Sequence, residues 1–288
     1  MTRTEVPPYA PEWLELRESA DAAARASGLL VPLRRHLSGL PRWEPGAGLV
    51  IRDLGCGTGS MGRWLAPRLP GPQRWVLHDR DPGLLEHAVA RMPGASADGS
   101  RVTVTTRQGD LARLSADDLS GTALVTASAL LDVLTTDEVD GLVAACAGAG
   151  CPALLALSVV GRVELTPADP LDAEIGEAFN AHQRRSDDTR RLLGPDAVAT
   201  ASEAFTRHGM DVRVHSSPWH LGADQSALAA EWLRGWVGAA CEERPDLDAS
   251  AVAYLQRRLA ACEAGGLRVV VHHSDLLALP RRTSGEAR

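Results

Sequence analysis

The segment Leu49-Val-Ile-Arg-Asp53-Leu-Gly55-Cys56-Gly57-Thr-Gly59-Ser60 concentrates the residues best suited to chemistry. An apolar run passes through one acid into glycines at alternate positions, where the backbone can approach a ligand closely. The helix start that follows offers unpaired N–H groups. A nucleotide-type ligand suits such a turn. The same stretch contains Gly57-Thr-Gly59-Ser-Met-Gly62, which has the GxGxxG spacing of a dinucleotide site. Register separates the two readings. With the turn at Gly57, Asp53 and Gly55 would fall inside a buried strand, where an unpaired carboxylate is costly. With the turn at Gly55, Asp53 stands at the carboxyl end of the strand, where ligands of open α/β sheets bind. The second register is preferred, and a nicotinamide-dependent oxidoreductase is the minor alternative.

Such a turn must be held by a sheet. Short apolar runs at 49–54, 75–78, 102–106, 123–127 and 153–158 read as buried strands, and helical stretches separate them. That alternation predicts a parallel sheet with helices on both faces. Asp81 followed by Pro82 predicts a helix N-cap, and Thr135 with Glu138 has capping-box spacing. Residues 12–27 read as a helix after Pro11, interrupted by Gly28 and Pro32. In the last third, 211–216 and 267–273 read as strands. Between them, 226–243 and 249–264 look helical and are expected to form a lid or packing insert.

Asp53-x-Gly55-x-Gly57-x-Gly59 resembles the first motif of class I S-adenosylmethionine-dependent methyltransferases, and the resemblance extends over roughly residues 45–160. It implies that Asp53, Gly55, Cys56, Gly57 and Gly59 surround the cofactor. It also implies that Asp79, 24 residues after Gly55 in Trp75-Val-Leu-His-Asp79-Arg80-Asp81, binds both ribose hydroxyls. Two carboxylate oxygens suit two vicinal hydroxyls. Arg80 would lie against the adenine face. In Val104-Thr-Thr-Arg-Gln-Gly109-Asp110-Leu111, Asp110 would accept from the adenine amino group and the Leu111 N–H would meet the ring. Ala127 and Ser128, in Leu124-Val-Thr-Ala127-Ser128-Ala-Leu-Leu131-Asp132, would sit beside the sulfonium. This loop departs from the Asn/Asp-Pro-Pro-Tyr/Phe pattern of adenine- and glutamine-methylating members and holds no Pro-Cys pair, which counts against those acceptors and against thiolate-based cytosine chemistry.

The acceptor side is less constrained. Ser128 and Asp132 are candidates to touch the acceptor. On an expected helix beginning near Pro170, Ala178-Phe-Asn180-Ala-His182-Gln183-Arg184-Arg185 concentrates polar groups. Asn180 and Gln183 are candidate acceptor contacts, and His182 is a candidate base because imidazole titrates near neutrality. Arg17, Asp21 and Arg25 share one helical face, where they pair weakly or one arginine reaches the cofactor carboxylate. Trp232 and Trp236, four residues apart, are expected in a core.

Composition sets the outer bounds. The chain has 288 residues, formal charge -7, 44% hydrophobic and 23% charged residues. It therefore falls in the ordinary globular range. No apolar run is long enough for a membrane span, and the first ten residues lack a signal-peptide pattern. Five cysteines form no metal-spaced cluster, so no metal is expected and a cytoplasmic location is the default. All 30 basic residues are arginine, yet the acidic balance gives no electrostatic footprint for nucleic acid, which is not expected as a partner. The resulting expectation is a doubly wound, mostly parallel seven-strand α/β sheet with a terminal antiparallel pair, an N-terminal helix and a helical insert before the last strand. Its parts are an N-terminal helical segment (1–47), a cofactor-binding core (48–160), a C-terminal half with acceptor segments (161–280) and a disordered tail (281–288). The function implied is in-line methyl transfer from S-adenosylmethionine to a small-molecule acceptor, releasing S-adenosylhomocysteine. The alternatives are an RNA methyltransferase and a cofactor-binding protein without transferase activity.

Overall fold

The computed structural model describes residues 10–40, 48–110, 114–187 and 190–281. Its strands are β1 (Leu49–Leu54), β2 (Gln73–Asp79), β3 (Val102–Gln108), β4 (Leu124–Ser128), β5 (Ala153–Thr166), β6 (Ser186–Asp187), β7 (Arg190–Arg191), β8 (Asp211–Ser216), β9 (Trp219–Leu221) and β10 (Arg268–Leu279). The main sheet runs β3-β2-β1-β4-β5-β10-β8, with β9 added against β10, while β6 and β7 form a separate hairpin. β1 to β5 are parallel neighbours, and β10 is antiparallel to β5, β8 and β9. Strand order therefore reverses at β1 and β4, and the crevice beyond their carboxyl ends is the natural ligand position.

Alternation along the central strands sorts side chains onto two faces. Leu124, Leu154 and Leu277 enter one core with Leu33, Trp64 and Trp75, under α2 (Leu30–Ser38), α3 (Ser60–Leu65) and α4 (Pro82–Arg91). Their neighbours Val125, Leu155 and Leu276 enter the opposite core with Val139, Val143 and Phe205, under α5 (Thr136–Gly148) and α7 (Ala197–Arg207). The sheet is thus doubly wound. A third core holds Ile175, Trp219, Leu233, Trp236, Tyr254 and Val271 beneath α6 (Asp172–Gln183), α8 (Ser226–Glu243) and α9 (Asp248–Glu263). The Trp232 and Trp236 rings stack there at 5.0 Å. α1 (Pro11–Ala24) packs Trp13, Leu16, Ala20 and Ala24 against that core.

Local signals behave as chemistry requires. Asp81 caps α4 by accepting from the Gly83 and Leu84 N–H groups at 2.8 and 3.2 Å. Thr135 and Glu138 close a capping box on α5. The first helix stops at Ala24, short of residue 27, and Pro32 does not break the chain's helical path. A 3-10 turn (Ser27–Leu29) leads into α2, and Pro32 lies in the first turn of α2, where its missing N–H would have had no helical partner.

The largest departure from expectation is the length of β5 and β10. β5 continues through residue 160 to Thr166, and residues 268–273 of β10 follow it beyond the edge of the parallel strands. The β5–β10 ladder shifts register between Ser274 and Leu276, beside Leu157, whose φ is 56°. Asp275, only 2% exposed, ties this irregularity together. It accepts from the Leu157 N–H (2.8 Å), the Ala26 N–H (2.8 Å) and the Ser217 hydroxyl (2.6 Å). No helix among the described residues is long and apolar enough to cross a membrane. The expected tail lies outside the described residues, apart from Arg281.

Candidate active site at the strand ends

The glycine turn after β1 is built on left-handed backbone. Gly55, Gly57 and Gly59 have φ of 60°, 53° and 84°, values that a side chain disfavours. The turn is closed by the Gly59 N–H donating to the Cys56 carbonyl at 2.8 Å and the Cys56 N–H donating to the His78 carbonyl at 2.9 Å. Cys56 contributes backbone only, because burial drives its thiol pKa far above the ordinary range. A Cβ on Gly57 would stand 3.2 Å from Leu14 Cδ1, and one on Gly55 would stand 3.0 Å from Leu130 Cδ1. α1 and the loop after β4 therefore roof the turn.

Asp79, at the end of β2, grips the same turn. One carboxylate oxygen accepts from the Gly57 N–H at 2.9 Å and the other from the Asp81 N–H at 3.1 Å. Each oxygen keeps a further lone pair. β2–β3 pairing sets Asp79 opposite Gln108, and the Gly109 N–H donates to the Asp79 carbonyl at 3.1 Å. The exposed Asp110 is thereby brought beside Asp79, next to exposed Arg80. Leu111 lies outside the described residues.

Two buried charges flank the turn. Asp53 is 1% exposed; its Oδ1 accepts from the Thr126 hydroxyl at 2.7 Å, while its Oδ2 has no partner. Burial raises its carboxyl pKa to about 7, against the lowering effects of Thr126 and Arg25. Arg25, 3% exposed, donates from Nη2 to the Ser60 and Ser128 hydroxyls at 3.0 and 3.1 Å, and its Nε and Nη1 have no partner. Desolvation lowers its pKa, and Asp21, Asp275 and Asp53 oppose that. Its guanidinium stands 5.7 Å over the Trp64 ring. Such orphaned buried groups are costly unless a ligand completes them.

α1 is fastened across this surface. Glu18 and Arg63 make two bonds of 2.6 Å, Arg63 also donates to the Thr58 carbonyl, and Arg91 pairs with Glu15. The Arg63 bond holds the Glu18 carboxyl below its ordinary pKa. Arg17 holds Asp21, which also accepts from Trp219 Nε1 at 3.0 Å.

On the acceptor side, Ala127 is buried at the end of β4, and Ala129 just beyond Ser128 has φ of 51°, an uncommon backbone for a non-glycine residue. Asp132 follows in a 3-10 turn, with its Oδ1 buried and unpartnered and its pKa raised by burial. Asn180 donates to the Gly161 carbonyl at 2.7 Å, and Gln183 Oε1 is buried without a partner. His182 lies apart: Nε2 meets Glu242 at 3.0 Å and Nδ1 meets Arg185 at 3.2 Å. Asp275 lies two residues past the strand read at 267–273 and carries no local signal, and the long-range role of Arg25 left only its helical spacing as a signal. Among the described residues, no group of three His, Cys, Asp or Glu is arranged to hold a metal ion.

Residues 51–152 match the model of a family described as a methyltransferase domain. Among solved structures, the chain is similar to loganic acid methyltransferase with S-adenosylhomocysteine, at TM-score 0.55 and 12% identity over 99% of each chain. It is also similar to an S-adenosylmethionine-dependent methyltransferase from Geobacter sulfurreducens in complex with S-adenosyl-L-homocysteine, at TM-score 0.43 and 18% identity over 94% of this chain and 99% of that one. None of the curated proteins matches the sequence.

Proposed function

Because this chain carries a class I S-adenosylmethionine-dependent methyltransferase domain at residues 51–152, on a fold shared along its length with such an enzyme, we propose that it methylates a small-molecule metabolite. When bound, S-adenosylmethionine supplies a sulfonium methyl group that an acceptor nucleophile displaces in line, leaving S-adenosylhomocysteine. The observation that carries the reading is the pair of opposite, incomplete charges flanking the glycine turn. Arg25 has two free donors suited to a carboxylate, and Asp53 Oδ2 is a free acceptor suited to an ammonium. The amino-acid end of the cofactor has both groups.

In this reading the free lone pairs of Asp79 take the ribose hydroxyls, Arg80 covers the adenine face, and Asp110 meets the ring edge. Ala127 and Ser128 border the reacting centre. Asp132, Asn180 and Gln183 stand on the acceptor side. His182, with both ring nitrogens engaged, is assigned no proton transfer. Orientation then supplies the rate, since effective molarities of ~10⁵ to 10⁸ M are available from positioning alone. The net charge of -7 and the helices beyond β5 favour an enclosed small acceptor over RNA.

The test is calorimetric titration of ligand-free protein with S-adenosylmethionine, S-adenosylhomocysteine and NAD(H), repeated on Asp79→Ala. The sulfur ligands are expected to bind at micromolar concentration and to weaken at least tenfold in the variant. Binding of NAD(H) alone would return the site to the dinucleotide register.

A further inference from the structure

Unpartnered buried polar atoms occur on two sides of the strand edge, and their chemistry differs. The cofactor side has free donors and a free acceptor, on Arg25 and Asp53. Beyond Ser128 lie Asp132 Oδ1, Gln183 Oε1 and His273 Nδ1, each buried without a partner.

Each is carried by an element that packs on β5 or pairs with it. Asp132 lies in the 3-10 turn (Leu131–Val133) that packs on β5 and on a second 3-10 turn (Gly194–Asp196). Gly194 in that second turn abuts Gln183, whose backbone carbon and Cβ would be 3.0 Å from a Cβ placed there. On the other flank, His273 pairs with Val159, three residues beyond the Ala156 that faces Ser128. His273 is 3% exposed, and its ring lies 5.2 Å from that of Trp219. Burial holds its imidazole pKa down at about 3, so it is neutral at any physiological pH and keeps one acceptor nitrogen.

Cations near these groups are already engaged. Arg17 holds Asp21 at 3.0 Å, Arg184 holds Asp196 at 2.6 Å, and Arg185 donates to the His182 carbonyl and meets its ring. Among the described residues, Trp236 Nε1 and Arg258 Nε are also buried without a partner, and they belong to the core under α8 and α9. An unpaired buried acceptor costs about 1–3 kcal/mol, which a ligand N–H or O–H removes. A carboxylate would instead bring acceptors against acceptors, beside the acid of Asp132.

We propose that the acceptor pocket recognises an amino alcohol rather than a carboxylic acid, with Asp132 and Gln183 accepting from its ammonium and hydroxyl groups and the neutral imidazole of His273 alongside. This rests on the methyltransferase reading and narrows its acceptor.

The test uses the full chain saturated with S-adenosylhomocysteine. Matched probes are titrated by calorimetry and thermal shift: ethanolamine against glycolate, glucosamine against gluconate, and tyramine against 4-hydroxyphenylacetate. At least one amine is expected to bind tenfold or more tightly than its matched acid. Asp132→Ala should abolish that preference and Gln183→Met should reduce it, both with S-adenosylhomocysteine affinity within twofold of wild type. Preference for the acids, or no binding by either set, overturns the proposal; the wild-type preference remains a test even where a variant fails to fold. Failure of S-adenosylhomocysteine to bind the wild type would remove the methyltransferase premise instead, a separate and distinguishable result.

Discussion

Replacing Arg25 with methionine isolates the contact on which the cofactor reading depends. The buried guanidinium has two donor nitrogens, Nε and Nη1, without a partner. A hydrogen bond to a charged group contributes about 1.5–3 kcal/mol. Taking the lower value for each of two bonds gives about 3 kcal/mol, or roughly a hundredfold in affinity. The substitution also removes the bonds to Ser60 and Ser128, so a fall in S-adenosylhomocysteine affinity alone would not be diagnostic. The control is 5′-methylthioadenosine, which has the nucleoside but neither carboxylate nor ammonium. Damage to the fold of the turn weakens both ligands equally, whereas loss of a carboxylate contact weakens only S-adenosylhomocysteine. Calorimetry of both ligands on both proteins should find the wild-type preference for S-adenosylhomocysteine reduced about a hundredfold in Arg25→Met, with methylthioadenosine changed less than threefold. Parallel weakening of the two ligands would refute the assignment.

Three other outcomes follow from the same geometry. Burial raises the Asp53 pKa to about 7, so between the unfolded value near 4 and pH 7 the native chain holds a proton that the unfolded chain releases. This contribution makes stability decline as pH rises through that window and level off above it. Because a cofactor ammonium favours the ionised form, binding at pH 6 should release about one proton, read from calorimetric enthalpies in buffers of different ionisation heat; an absence of release counts against Asp53 as the ammonium partner. Gly57→Ala forces alanine to φ near 53° and sets a Cβ 3.2 Å from Leu14. At about 1–2 kcal/mol for the left-handed backbone, it should lower the melting temperature by several degrees and weaken S-adenosylhomocysteine at least tenfold, and unchanged binding would show that the turn does not approach the ligand. Asp275→Ala leaves the Ala26 and Leu157 amides and the Ser217 hydroxyl unpaired. At about 1–3 kcal/mol for each, the urea midpoint should drop sharply, and a loss under 1 kcal/mol would mean that water replaces the carboxylate.

The glycine turn, the Asp81 cap and the Thr135 box were legible because each is written in a few adjacent residues. The strands read at 49–54 and 211–216 matched β1 and β8 to the residue, and the helix 226–243 matched α8. The upper halves of β5 and β10 were not legible, since Gly161, Arg162 and His272 interrupt the apolar pattern and their pairing partners lie about a hundred residues away. β9 and the β6–β7 hairpin are too short to leave a periodicity. At the candidate site, sequence placed the carboxylates of β1 and β2 but left Arg25 as one of several charges on a helix face. Its burial against Ser60 and Ser128 is a tertiary fact. His182 was prominent for its chemistry, yet its position on α6 turns both nitrogens to Glu242 and Arg185.

The length of β5 and β10 also governs how the molecule can move. Each is a single strand that starts in one layer and finishes in another, and Asp275 rivets them at the crossing. A jaw-like swing of the α6, α8 and α9 layer would have to tear a ladder of backbone hydrogen bonds. α1 has no such ladder: besides the packing of its apolar face, it is held by side-chain contacts that include the ion pairs of Glu15 and Glu18, the Asp21–Trp219 bond and Arg17 over the Trp219 ring, with the Arg25 hydroxyl contacts and the Ala26–Asp275 bond just past its end. Cofactor exchange is therefore expected to proceed by peeling one helix away from a rigid body. Salt, which weakens exposed ion pairs, should speed that step while leaving the body intact.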